Sequence, residues 1–303
     1  MKTFNLEIFE IIAADKGCDI AFPIKEKMLL EVINQFVTRF HSETGNLIFG
    51  GGTSLVCAYN ELTKRFSEDA DFRFVPCPKS TKSIRNELTQ IAQSLDGFEL
   101  VCEPISDSRK IEFHLKDNQN FVQEHSALRP YIKLEVFFTN NLFYPPQNKP
   151  LTSFYNKITG EGAETQVACV SLEDTSIDKI SSFLWRIYSN ETENPQYNPS
   201  DMRHLHDLTF LTKHFNIDNT FCKHFLDVFN VDIKFRLKKD ISLDEIVSDV
   251  LSTLRKDKKY EKDFLRYVSN MSYAKTSEQL TYNIALDSFI ELMDNIRKYN
   301  DQK

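Results

Sequence analysis

From Ile24 to Phe40 the chain places apolar residues at Ile24, Met28, Leu29, Val32, Ile33, Phe36 and Val37. That spacing gives a helix with one continuous apolar stripe. Asn46–Phe49 then contracts to a short apolar run, expected as a buried strand, and stops at the turn Gly50-Gly51-Gly52. Thr53 is expected to cap a helix carrying Leu55, Val56 and Tyr59. From Asp69 to Val75 the pattern alternates. Phe72 and Phe74 fall on one face and Asp69, Asp71 and Arg73 on the other, so both acids leave a strand on the same side.

An amphipathic helix is expected over Ser80–Leu95, and strands over Glu99–Cys102, Lys110–Leu115 and Tyr131–Phe138. The segment Asn140–Thr152 contains Pro145, Pro146 and Pro150 and reads as a linker. Beyond Leu172 the pattern turns helical, over Thr175–Tyr188, Asp201–His214, Thr220–Val228, Leu243–Leu254, Lys258–Val268 and Ser277–Tyr299. The expectation is an α+β protein in two domains: residues 1–150 with a mixed sheet flanked by helices, then residues 151–303, mostly helical. Neither an internal repeat nor a low-complexity tract interrupts it.

Composition narrows the class. Hydrophobic residues make up 41% and charged residues 27% of 303, with 25 Phe, which fits substantial aromatic cores rather than disorder. No apolar run reaches the length of a membrane span. Met1-Lys2 leads into Asn5, Glu7 and Glu10 rather than an apolar block, so a cytoplasmic protein without a signal peptide is expected. The six cysteines, Cys18, Cys57, Cys77, Cys102, Cys169 and Cys222, lack ligand spacing and read as mostly buried thiols. The formal net charge is −7, and neither half is basic, with 17 Lys+Arg against 20 Asp+Glu in residues 1–150. A nucleic-acid partner would therefore have to meet a local patch, such as Lys79–Arg85 or Lys234–Lys239, the latter interleaving Phe235 with cations.

The chemistry converges on phosphate. A glycine turn can bring backbone N–H groups close to phosphate oxygens, and two carboxylates at i and i+2 of a strand can share a divalent cation. Phosphoryl transfer assisted by such a cation calls for a third acid from a neighbouring strand. Glu135 is the candidate, and alternation sets it beside Lys133 on one face, with Ile132, Leu134 and Val136 on the other.

The strings Gly51-Gly52-Thr53-Ser54-Leu55 and Lys64-Arg65-Phe66-Ser67-Glu68-Asp69-Ala70-Asp71-Phe72 resemble the signature of the AbiEii/MenT-type nucleotidyltransferases. These are toxins of bacterial toxin–antitoxin and phage-defence systems, within the DNA polymerase β-like superfamily. Downstream, Asp178-Lys179 with Arg186, and Arg203-His204-Leu205-His206-Asp207-Leu208, resemble the family's Asp-Lys pair and its Arg-Asp-x-x-Asp-Leu segment. The resemblance runs from about Phe49 to Leu211. Two departures stand out: His204 replaces the first acid of the later segment, whose role could pass to Asp201, and the third acid is Glu135 rather than the commoner Asp.

The resemblance implies an enzyme that moves NMP from an NTP to an acceptor hydroxyl and releases pyrophosphate. The implied acceptor is the tRNA 3′ end, and a cognate antitoxin is an implied partner. Gly51, Gly52 and Thr53 would cradle the triphosphate, with Ser67, Lys133 and Lys179 assisting. Asp69, Asp71 and Glu135 would hold Mg²⁺ (or Mn²⁺), Glu135 also activating the hydroxyl, and Asp207 would position Lys179 or the acceptor. His204 and His206 are read as surface or packing residues. Two alternatives share the pattern: a small-molecule, aminoglycoside-type nucleotidyltransferase, and a non-catalytic nucleotide-binding module.

Overall fold

The computed structural model describes residues 4–119, 121, 125–140, 142–190, 195–238, 240–275 and 278–300. Met1, Lys2, Lys239 and Ser277, which enter the expectations above, lie outside them. The chain divides into two compact units, Met1–Val170 and Ser171–Lys303.

The first unit opens with α1 (Leu6–Lys16) and α2 (Ala21–Arg39), followed by β1 (Asn46–Gly50), α3 (Gly51–Cys57) and β2 (Asp69–Val75). Then come α4 (Lys82–Gln93), β3 (Phe98–Leu100), β4 (Ile105–Ser106), β5 (Lys110–Asp117) and β6 (Ile132–Phe138), and finally β7 (Gln147–Leu151), α5 (Phe154–Thr159) and β8 (Thr165–Cys169). The strands form one mixed sheet in the order β3-β5-β6-β2-β1-β8-β7, with β4 beside β5. At its centre β2 runs antiparallel to β1 and parallel to β6.

Alternation decides which face is core. Phe72 and Phe74 of β2, Phe113 of β5 and Leu134 and Val136 of β6 are fully buried, as are Leu29, Ile33 and Phe36 of α2. Phe36 meets Phe72 with ring centroids 5.6 Å apart, and Phe72 meets Phe49 at 5.2 Å. Each buried ring contributes on the order of 2–3 kcal/mol of transfer free energy, so this layer anchors the strands whose other face carries the charges.

The domain boundary expected at residue 150 is corrected by the sheet. It falls inside β7, and residues 151–170 supply α5 and β8, which pairs in parallel with β1 through Phe49 and Cys169. Pro150 does not break the strand, because β7 lies at the sheet edge, where a missing N–H costs no ladder bond. The segment read as a linker is thus partly a strand. Among the cysteines, Cys57, Cys169 and Cys222 are buried, whereas Cys18 and Cys77 are half-buried and Cys102 is exposed.

The second unit contains α6 (Leu172–Asn190), a short 3₁₀ turn (Pro199–Asp201), α7 (Met202–Leu211), α8 (Asn219–Arg236), α9 (Leu243–Lys256), α10 (Lys258–Met271) and α11 (Tyr282–Asn300). The side chains of Asp218, Ser242 and Asp257 cap α8, α9 and α10 by accepting from the N–H groups of Phe221, Glu245 and Lys259. Phe183, Leu205, Ile246, Phe289 and Ile296 are buried in its core, where the rings of Phe183 and Phe289 lie 5.1 Å apart. Helix α8 runs eight residues past the expected end at Val228, so Lys234, Phe235 and Arg236 sit on its exposed last turn.

Candidate active site

The two halves of the Gly-Gly-Thr and Arg-Phe-Ser-Glu-Asp-Ala-Asp pattern are in contact. Gly51 has φ +71°, and a Cβ there would collide with the Asp71 carboxylate. A Cβ on Gly52 would strike the Arg65 guanidinium and come 3.0 Å from Ser67 Oγ. The turn is glycine because side chains from β2 and its approach already fill the space.

Thr53 departs from expectation. The N-cap of α3 is Gly50, and Thr53 is the third helical residue, buried, with its hydroxyl donating to the Asp69 carbonyl at 2.5 Å and lying 2.9 Å from the Ser67 hydroxyl. That hydroxyl therefore ties the helix to the start of β2. Its local chemistry is support of the acidic strand.

Register aligns the acids. Asp69 lies opposite Lys133 and Asp71 opposite Glu135 across β2 and β6, while Glu112 of β5 lies opposite Glu135 from the other side. Asp69, Asp71, Lys133 and Glu135, singled out in the sequence, are thus brought onto one face of two adjacent strands. Glu135 is nearly buried, 8% of its side chain being exposed, and it is gripped by both Lys133 and Lys110. Lys133 Nζ also stands 3.9 Å from Asp69 Oδ2. Burial works against the Lys133 ammonium, but the carboxylates of Asp69, Glu135 and Asp71 outweigh it and raise its pKa.

Four further participants carry no weight in the motif-based reading. Lys110 Nζ bridges Glu135 and Glu112, 2.7 Å from the latter, and His114 Nε2 stands 2.6 Å from Glu112. Burial pushes the Glu112 carboxyl up, yet the Lys110 and His114 contacts prevail and hold it at about 2. Arg129, on the loop before β6, ion-pairs with Asp69. Strand alternation over Lys110–Leu115 already sets Lys110, Glu112 and His114 on one face, but only the β5–β6 register brings that face to Glu135. For Arg129 no sequence signal exists.

Below these, α2 buries three consecutive charged residues, Lys25, Glu26 and Lys27. Lys25 Nζ donates to the carbonyls of Arg129 at 2.7 Å and Tyr131 at 2.5 Å, fixing the approach to β6. Desolvation lowers its pKa to about 8.

Among the described residues no three His, Cys, Asp or Glu side chains are disposed as a ready metal cluster. The donor set of Asp69, Asp71 and Glu135 consists of hard carboxylate oxygens, which suits Mg²⁺ or Mn²⁺. Arg129, Lys133 and Lys110 occupy two of the three carboxylates, so admitting a cation requires these side chains to turn aside.

Within the helical unit, Lys179 donates to Asp207 Oδ2 at 2.7 Å, and both are buried. Asp201, the suggested stand-in for the acid missing at 204, is buried and accepts from Arg186 at 3.2 Å. His204 and His206 prove to be buried, not surface, residues. Burial above all, with Arg203, Lys179 and Arg186 nearby, drives the His204 pKa far below its ordinary value and leaves the ring neutral.

A glycine turn locked onto a strand with paired acids, and a third acid in register on a mixed sheet, form an arrangement suited to metal-assisted phosphoryl transfer. The chain belongs to the AbiEii family of nucleotidyltransferase toxins of type IV toxin–antitoxin systems, whose profile matches residues 35–293. Its fold is similar to that of MenT4, a nucleotidyltransferase toxin from Mycobacterium tuberculosis H37Rv, with a TM-score of 0.65 at 14% identity, covering 95% of this chain and 89% of that one. An antigenic nucleotidyltransferase-like protein from Paracoccidioides brasiliensis is also similar, at a TM-score of 0.38 and 16% identity, over 74% of this chain and 97% of that one. No curated protein matches the chain in sequence. Among the described residues no helix is long and apolar enough to cross a membrane.

Proposed function

We propose that this nucleotidyltransferase toxin uses Mg²⁺ to transfer NMP from an NTP to an acceptor hydroxyl at the tRNA 3′ end, in the cytoplasm, under control of a cognate antitoxin. The observation that carries the reading is the alignment of Asp69, Asp71 and Glu135 on neighbouring positions of β2 and β6. Those carboxylates would hold the cation, which when bound would offset the triphosphate's charge.

The chain's own groups do the rest. The Gly51–Gly52 turn would offer backbone N–H groups to triphosphate oxygens, with Thr53 and Ser67 keeping it on the acidic strand. The acceptor hydroxyl attacks the α-phosphorus, a P–O bond forms, and the bond to pyrophosphate breaks. Glu135 would accept the hydroxyl proton, and Lys133 would pass from Glu135 to the phosphates. In the helical unit, Asp207 holds the Lys179 ammonium in place.

An RNA acceptor is supported by two local basic features. Exposed Lys234, Phe235 and Arg236 end α8, where the Arg236 guanidinium lies 5.1 Å from the Trp185 ring centre. In the sheet unit, exposed Lys79 and Lys82 border an open hollow of about 600 Å³.

The test is incubation with each α-labelled NTP, Mg²⁺ and total tRNA. The wild type should label tRNA, and Asp69→Ala should reduce labelling by roughly 100-fold or more, as expected when a group serving the transition-state charge is lost. Label reaching neither RNA, protein nor small molecules would defeat the reading.

A further inference from the structure

Arg129 stands outside every motif of the chain, yet four contacts define its position. Its N–H donates to Glu68 Oε2 at 2.7 Å, and its carbonyl accepts from the buried Lys25 ammonium at 2.7 Å. Its guanidinium pairs with Asp69 and lies 3.5 Å from Glu68 Oε1. The backbone is thus anchored on both sides, whereas the side chain is 34% exposed.

The choice of residue is informative. A guanidinium presents a rigid fork of donors that matches phosphate as well as carboxylate, and it stays charged at every working pH. The pair also sits where triphosphate and acid must coexist, because Asp69 shares its strand face with Asp71, against which the Gly51 turn packs. A guanidinium kept on Asp69 would compete with any cation that carboxylate is to bind. The same guanidinium, released from Asp69, has the donor geometry to meet incoming phosphate oxygens.

We propose that Arg129 is a triphosphate-binding residue that exchanges Asp69 for phosphate oxygens as the nucleotide enters, so that one side chain both guards the acid and receives the substrate. The inference rests on the reading of Asp69 as a cation-binding carboxylate. Lys25 is then a positioning residue, holding the 129–131 backbone while the side chain moves.

The exchange predicts effects of opposite sign in one variant. Arg129→Gln should weaken NTP binding measured in EDTA by roughly 10- to 100-fold, the scale of a lost charge-assisted contact. The same variant should bind Mn²⁺ alone, followed by electron paramagnetic resonance, as tightly as wild type or more tightly. Arg129→Lys should retain part of the NTP affinity, and circular dichroism should show both variants folded.

If NTP affinity is unchanged, or if NTP and Mn²⁺ affinities fall together as for a mere prop of Asp69, the proposal is overturned. Asp69→Asn separates the two readings. Wild type binding Mn²⁺ no better than Asp69→Asn would remove the cation reading and the exchange with it. Normal Mn²⁺ binding with NTP affinity indifferent to residue 129 would remove only the role of Arg129.

Discussion

The Asp71 carboxylate lies over Gly51, where even a methyl group would collide with it, and Gly51 holds φ at +71°. Turn and acid are therefore one structural unit, joined again by Thr53, whose hydroxyl reaches the Asp69 carbonyl and Ser67.

Gly51→Ala should consequently fail twice. The left-handed backbone costs an alanine about 1–2 kcal/mol, and the new methyl displaces Asp71. Thermal unfolding should show the first effect, and a loss of NMP transfer beyond what the lowered stability explains should show the second. Full activity in a destabilised Gly51→Ala protein would mean that the position of Asp71 is immaterial.

Thr53→Val preserves shape but removes the hydroxyl that bonds the Asp69 carbonyl and Ser67. The cost should be about 1–3 kcal/mol for the buried partners left behind, and Thr53→Ser should recover most of it. Urea denaturation of the three proteins checks this. Equal stability of the Val and wild-type proteins would show that the hydroxyl does not tie α3 to β2.

Glu26 provides a pH test away from the chemistry. Burial raises its carboxyl to about 8, despite the Phe154 N–H and Lys27 nearby. Between pH 4.5 and 8 the folded state therefore keeps a proton that the unfolded chain releases. Stability from this group must fall as pH rises through that window, on the order of 1 kcal/mol per pH unit. Glu26→Gln should flatten that part of the stability–pH curve, read by denaturation at pH 5 through 8; an unaltered slope would contradict it.

In the helical unit, Asp207→Asn would leave the buried Lys179 ammonium without its carboxylate. The expected destabilisation is about 3–5 kcal/mol, whereas the double variant Lys179→Met, Asp207→Leu should recover much of it because both charges leave together. Simple additivity in urea denaturation would show that the two residues do not act as a pair.

The periodicity of the chain by itself determined the elements that matter most to the site. Strict alternation in Asp69–Val75 settled strand and facing together, since a one-residue slip would bury both acids and expose Phe72 and Phe74. The local string from Gly51 to Asp71 likewise announced the family, because its residue types answer to contacts within about twenty residues. What tertiary structure alone decided are the relations between distant segments. Pairing of β5 with β6 brought Lys110 and Glu112 to Glu135, and β8 joined β1, moving the boundary of the first unit from 150 to 170. Arg129 and Lys25 acquired meaning only when a loop and a buried helix position met Asp69 and the 129–131 backbone. Register and burial are set by the packing of a whole sheet, and no spacing along the chain encodes which charged side chains that packing will bring within reach of one another.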